Sequence, residues 1–293
     1  MPDMSAGIIG TGYYLPEKVL TNFDLEQMVQ TSDAWIVERT GIHERRIAED
    51  GEPVSALAFR AAEMALADAG IAGEDLDLII MATLTSDRII PATSCILQDR
   101  LGAKHAAAFD LSAACSGFVY ASSIAAQFIE SGIYRYILVI GAETLSKVID
   151  WKDRNTCILF GDGAGAAVFG AVEQGYGIRA FDLGSDGSGG DVLEIPSSES
   201  LHPVTPETIE QRLNYVHMDG KAVFRFATKV MGRTVETSLQ KAGMKREELD
   251  FLVPHQANIR IIQSAAKRLD LPMEKVIINI HRYGNMSAAS IPV

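Results

Sequence analysis

Apolar residues in this chain follow two rhythms. Short continuous runs, Ala106–Leu111, Tyr136–Ile140, Phe251–Val253 and Val276–Ile280, predict buried strands. Phe118–Ile129 instead repeats its apolar positions at helical spacing. Lys221, Arg225, Lys229 and Arg233 recur every four residues, on one face of a helix reaching about Leu239. Strands alternating with helices predict an α/β fold with mixed sheets in layers.

The pattern also repeats. The stretch from Ala65 to Ile80 lines up with Ser238 to Val253, 173 positions later (65 to 238). Each copy is a helix ending in Gly, a charged loop and a buried strand, as helix-stop chemistry expects. A second echo pairs Ser112-Ala113-Ala114-Cys115 with Ser287-Ala288-Ala289-Ser290, 175 positions later (112 to 287). It predicts Ser290 in the place of Cys115. The chain therefore reads as a duplication, residues 1–172 and 173–293.

Cys115 lies among small residues where a strand hands over to a helix. In the first helical turn, free N–H groups and the macrodipole favour an anion. A thiol there can fall from roughly pKa 8.5 to about 3.5–7.5 and become a nucleophile at neutral pH. Partners exist. His255 closes the strand in Val-Pro-His-Gln-Ala-Asn, and Asn285 follows the strand before Tyr-Gly-Asn-Met-Ser-Ala-Ala-Ser. A Cys, a His and an Asn at strand ends form a thiolate site with two hydrogen-bond donors.

Composition narrows the classes. A chain of 293 residues with 47% hydrophobic content can bury a large core. No apolar run reaches the roughly 18 residues of a membrane span, and Met1–Met4 lacks a basic leader. Three cysteines without a CxxC pair suit a reducing, cytoplasmic setting and predict no metal site; Cys95 and Cys157 read as core. A net charge of −12 argues against nucleic acid. Gly10-Thr11-Gly12 is no dinucleotide fingerprint, because Leu15 and Pro16 stand where the helix should run. Gly161-Asp162-Gly163-Ala164-Gly165 lacks the following Lys-Ser/Thr of a phosphate loop and predicts close backbone approach under the site. Gly184–Gly190 reads as a loop, and Ser197–Glu207 as a mobile surface excursion.

Ser-Ala-Ala-Cys115-Ser-Gly-Phe, Val-Pro-His255-Gln-Ala-Asn and Tyr-Gly-Asn285 resemble the signature set of β-ketoacyl-acyl-carrier-protein synthase III, condensing enzymes of the thiolase superfamily. Further matches at Gly10–Asn22, Ser32–Arg46 and Gly161–Phe169 spread the resemblance from Gly10 to Val293. It implies the thiolase-like duplicated fold and a homodimer, with Thr85–Pro91 near the partner. It also implies a decarboxylating condensation of an acyl-CoA primer with malonyl-acyl carrier protein, initiating fatty acid synthesis without a metal or redox cofactor. Cys115, His255 and Asn285 are then catalytic. Trp35, Arg39, Arg154, Gly220, Phe224 and Asn258 meet CoA. Gln256, Arg260, Arg225 and Lys229 meet the acidic carrier protein, and Ile90, Leu159 and Phe160 line the primer pocket.

Alternatives stay open within the superfamily. Asn285 disfavours biosynthetic thiolases and elongating synthases, but hydroxymethylglutaryl-CoA synthase and polyketide-type enzymes share Cys-His-Asn. Papain-like peptidases carry a different motif around the cysteine, and a catalytically dead binding protein would not need all three residues. By the repeat, a helix and at least two strands are expected after Ser290, so the sequence reads as a fragment of a longer chain.

Overall fold

The computed structural model describes residues 5–198 and 200–293. The first half holds strands β1 (Ser5–Tyr14), β2 (Val19–Thr21), β3 (Glu44–Arg46), β4 (Leu78–Ala82), β5 (Ala107–Leu111), β6 (Ile137–Thr144) and β7 (Asp162–Val172). Five of them form one mixed sheet in the order β1-β7-β6-β4-β5, with β4 parallel to both β5 and β6 and the remaining pairs antiparallel. Every residue of β4 and β6 is buried, because helices cover both faces. Ile79, Met81, Leu138 and Ile140 meet α3 (Val54–Ala69) on one face. Leu78, Ile80, Ile137 and Val139 meet α5 (Gly117–Glu130) on the other. The expected strands at 106–111 and 136–140 and the helix at 118–129 are present within a few residues, but β5 is not buried as expected: it is an edge strand with Ala107 and Phe109 exposed.

Gly10 and Gly12 serve this layering. A Cβ on Gly12 would stand 2.3 Å from the Ala61 carbonyl, and one on Gly10 2.5 Å from the Ala69 nitrogen. They let α3 lie directly on β1.

The first echo holds residue by residue. Gly70 ends α3 at φ +67°, and Gly243 ends α7 (Gly220–Ala242) at φ +68°. Each helix is followed by a short turn, Gly73–Asp75 and Arg246–Glu248, closed by an acid on the N–H three residues back: Asp75 on Ala72 and Glu248 on Lys245, both at 2.8 Å. The second echo shifts register. Ala114 and Ser287 share the left-handed conformation, at φ +46° and +45°, so the offset is again 173 (114 to 287). Ala288, not Ser290, takes the place of Cys115.

Beyond the turn the copies diverge. Phe251–Val253 and Val276–Ile280 form no strands; one parallel bridge joins Leu252 to Val276. Phe251 is 62% and Val253 48% exposed, against the burial expected of them. The physical reason is pairing. β4 has a neighbour on each edge, whereas the segment around Leu252 has one on one edge among the described residues. α8 (Ile259–Arg268) packs on α7, with Gly232 held against the Arg268 side chain.

One smaller expectation also changes: Cys95 is exposed in α4 (Thr93–Arg100), whereas Cys157 is buried as expected. In the 197–207 segment, of which Glu199 lies outside the described residues, the described residues 200–204 lie at the surface as expected, while Ser197 anchors one end. Its hydroxyl donates to the His202 and Pro203 carbonyls, and its N–H to the Leu213 carbonyl.

Candidate active site

Cys115 sits in a short turn, Ala114–Ser116, that runs into α5. It precedes the helix by two residues instead of occupying its first turn. Burial, with a smaller unfavourable contribution from the Glu143 carboxylate, pushes its thiol up to about pKa 11. The low pKa expected from a helix start is therefore absent here: desolvation outweighs the N-terminal effect.

Asn285 and the turn Ser287–Ser290 are laid against the first-half sheet. The glycines of β6 and β7 make room for them. A Cβ on Gly141 would lie 2.2 Å from the Ala288 carbonyl, one on Gly163 2.6 Å from Met286 Sδ, and one on Gly165 2.6 Å from Pro292. The close approach predicted for Gly161–Gly165 is thus supplied, with residues 283–292 as the approaching segment.

Asn285 is held at its backbone. It donates to the Leu159 carbonyl at 2.8 Å and accepts from Gly161 N–H at 3.0 Å, in a parallel bridge with Phe160. Its Oδ1 accepts from Ser287 N–H at 2.8 Å, which leaves Nδ2 as the free donor. The Ser287 hydroxyl, buried without a hydrogen-bond partner, lies near both the Cys115 thiol and the Glu143 carboxyl and acts to lower the pKa of each against the larger effect of burial.

His255 is half-buried, its Nδ1 unpartnered, and burial holds the imidazole down to about pKa 4. It is neutral at physiological pH. The adjacent Gln256 is 2% exposed, which corrects its assignment to the carrier protein: a docking surface cannot reach it.

The residues assigned to CoA gather at one end. The guanidinium carbons of Arg39 and Arg154 lie 5.4 and 5.3 Å from the Trp35 ring centroid. Asn258 caps α8 and donates to the Arg39 carbonyl at 2.9 Å, and Gly220 opens α7. Arg260 stands 5.5 Å over Phe224, and Arg225 and Lys229 are exposed on α7. Leu159 and Phe160 adjoin Asn285, while Ile90 is 83% exposed in the loop after β4.

Two buried charges were not singled out from the sequence. Glu143, at the carboxyl end of β6, accepts from the Thr85 hydroxyl at 2.8 Å, Leu84 N–H at 3.1 Å and the Thr83 hydroxyl at 3.3 Å. Burial raises it to about pKa 7. Arg45 donates to Asn22 Oδ1 and to the Ile158 carbonyl at 2.7 Å, beneath the strand-like segment that holds Asn285. An acid closing an all-buried strand in Gly-Ala-Glu-Thr was the available signal for Glu143.

Comparison with known proteins agrees with the signature residues. Residues 109–187 match the family described as 3-oxoacyl-[acyl-carrier-protein] synthase III, and residues 239–293 match its C-terminal family. The beta-ketoacyl-[acyl-carrier-protein] synthase III of Desulfitobacterium hafniense strain Y51 is 58% identical over 290 residues, covering 99% of this chain and 88% of that protein. That of Caldanaerobacter subterraneus subsp. tengcongensis is 57% identical with the same shares. The chain belongs to the beta-ketoacyl-[acyl-carrier-protein] synthase III family. The solved Aquifex aeolicus member of the family superposes with a TM-score of 0.90 at 49% identity, covering 98% of this chain and 88% of that one. The thiolase-like fold read from the motifs is therefore the observed one. Among the described residues no helix is long and apolar enough to cross a membrane, and no group of His, Cys, Asp and Glu could hold a metal ion.

Proposed function

We propose that this chain condenses an acyl-CoA primer with malonyl-acyl carrier protein, releasing carbon dioxide and starting a fatty acid chain. The observation that carries the reading is the seating of the Asn285–Ser290 segment against the first-half sheet beside Cys115. That contact brings the segment carrying Asn285 against the turn carrying Cys115. In the first stage the Cys115 sulfur, once deprotonated, attacks the primer thioester carbonyl. The carbon–sulfur bond to CoA breaks, and CoA leaves as a thiolate that takes up a proton. The Cys115 backbone N–H holds the tetrahedral oxyanion.

In the second stage malonyl-carrier protein loses carbon dioxide, and the electron pair of the broken bond becomes a thioester enolate. His255 Nε2–H and Asn285 Nδ2–H donate to its oxygen. A neutral imidazole suits this role, since it donates without bringing a charge into a buried site. The enolate carbon then attacks the acyl-enzyme, and the Cys115 thiolate leaves. No metal or redox group enters the sequence.

The Trp35–Arg39–Arg154 cluster suits the adenine and phosphates of CoA, a ring face flanked by two cations. Arg260, Arg225 and Lys229 supply the locally basic surface that an acidic carrier protein needs from a chain of net charge −12. A homodimer presenting Thr85–Pro91 to the partner would cover the exposed Ile89 and Ile90. A cytoplasmic setting fits the unpaired cysteines. The test is incubation with labelled acetyl-CoA followed by mass spectrometry. Wild type should gain one acetyl group on Cys115, and Cys115→Ala none while keeping its fold. Acetylation that persists in Cys115→Ala would refute the assignment.

A further inference from the structure

The amide of Gln256 is committed at all four of its hydrogen-bonding positions. Nε2 donates to the Pro254 carbonyl at 2.9 Å and the Ile277 carbonyl at 3.1 Å. Oε1 accepts from the backbone N–H groups of Asn279 and Ile280, each at 3.1 Å. An amide has two N–H donors and two acceptor lone pairs, so nothing is left for an outside partner. Turned over, it would set N–H against N–H and oxygen against carbonyl, so a single orientation fits.

Its place matters as much as its bonds. The two segments it joins share one backbone bridge among the described residues: Leu252 N–H donates to Lys275 and Ile277 N–H to Leu252, both at 2.9 Å. Beyond that bridge no ladder continues, and the Gln256 side chain takes up the carbonyls and N–H groups that further rungs would have used. One end of the clamp, Pro254 and Gln256, flanks His255. The other end opens α9 (Ile280–Tyr283), which delivers Gly284 and Asn285. We infer that Gln256 is a positioning residue that sets His255 relative to Asn285. This rests on the condensation proposed above, in which both side chains must reach one enolate oxygen. A misplacement of about 1 Å in such a pair costs on the order of 10²-fold in rate.

The test uses the full chain carrying Gln256→Met, with Gln256→Glu as the near-isosteric variant that loses the two donated bonds. Decarboxylation of malonyl-carrier protein should fall on the order of 10²-fold in kcat. KM and its salt dependence should hold, and acetylation of Cys115 should stay near wild type. In the double variant Gln256→Met/His255→Ala, the rate should equal that of His255→Ala alone, because no imidazole is left to position. Losses that multiply would overturn the inference, as would a raised KM at unchanged kcat, the signature of a docking contact. A readout independent of turnover is the position of the His255 imidazole resonances by NMR. They should shift in Gln256→Met, and unmoved resonances would overturn the inference too. If they shift but wild type decarboxylates nothing, the proposed function fails while the positioning stands. Should Gln256→Met fail to fold, Gln256→Glu carries the same readings.

Discussion

In the first half, β4 lies between β5 and β6 with hydrogen-bonded neighbours on both edges and helices on both faces. Its counterpart around Leu252 follows the same helix, the same left-handed Gly and the same acid-closed turn. It then meets one neighbour through one bridge among the described residues, in a chain that covers 88% of the relatives it matches. Local chemistry reproduced the turn in both copies, because a Gly cap and an acid reaching back three residues need nothing from outside the segment. A strand needs partners. Where the ladder is short, side chains do its work: Gln256 clamps 254 to 277–280, and Asn258 ties α8 to the Arg39 carbonyl. The candidate nucleophile thus follows β5, the partly exposed edge strand of that sheet, and the candidate donors sit on a stapled framework.

The contrast can be tested at its strongest point first. With the Cys115 thiol raised to about pKa 11 by its enclosure, alkylation by iodoacetamide should climb roughly tenfold per pH unit above neutrality, near a hundredfold from pH 7 to 9. A profile already flat above pH 7.5 would restore the helix-start expectation. On the donor side, His255→Ala and Asn285→Ala should each slow malonyl-carrier protein decarboxylation by about 10²–10³. Acetylation of Cys115 should suffer less. Equal losses in both steps would merge the roles of the two halves.

The seam between the halves gives the next effect. Gly141→Ala sets a Cβ against the Ala288 carbonyl, a backbone atom that cannot swing away. Denaturant unfolding should show a loss of about 1–3 kcal/mol, as overpacking of a filled core does. A neutral result would mean that the 287–290 turn lifts off the sheet easily. The smallest effect belongs to the rim. Arg260→Glu should weaken use of malonyl-carrier protein several-fold with a shallower salt dependence, while acetylation by acetyl-CoA is retained. An unchanged salt slope would remove Arg260 from the docking face.

The candidate catalytic residues were legible because each stands in a short, chemically unusual motif. Cys115 among alanines, His255 after a Pro-ended apolar run and Asn285 after a Gly are read from a few neighbours each. The glycines of 161–165 were legible for the same reason, since the absence of a side chain is itself the signal. Gln256 was misplaced because in sequence it is one polar residue beside the candidate His255. Only the chain folding back at 277–280 gives its amide three of its four partners, the fourth being the nearby Pro254 carbonyl.

The amino-acid sequence by itself carried the echo between the halves, the first-half strands and helices, and the candidate chemical side chains. The strands, helices and candidates follow from periodicity, caps and motifs within about twenty residues, and the echo from comparing such windows 173 positions apart. Tertiary structure alone decided the register of the second echo and the sign of the Cys115 shift. It also decided the buried posts of Glu143, Arg45 and Gln256. Each of these depends on what lies across from the residue: a strand edge filled or open, water excluded or admitted, a donor met by an acceptor from more than twenty positions away. Those are properties of enclosure, and a linear pattern of apolar and polar residues carries no record of what encloses what.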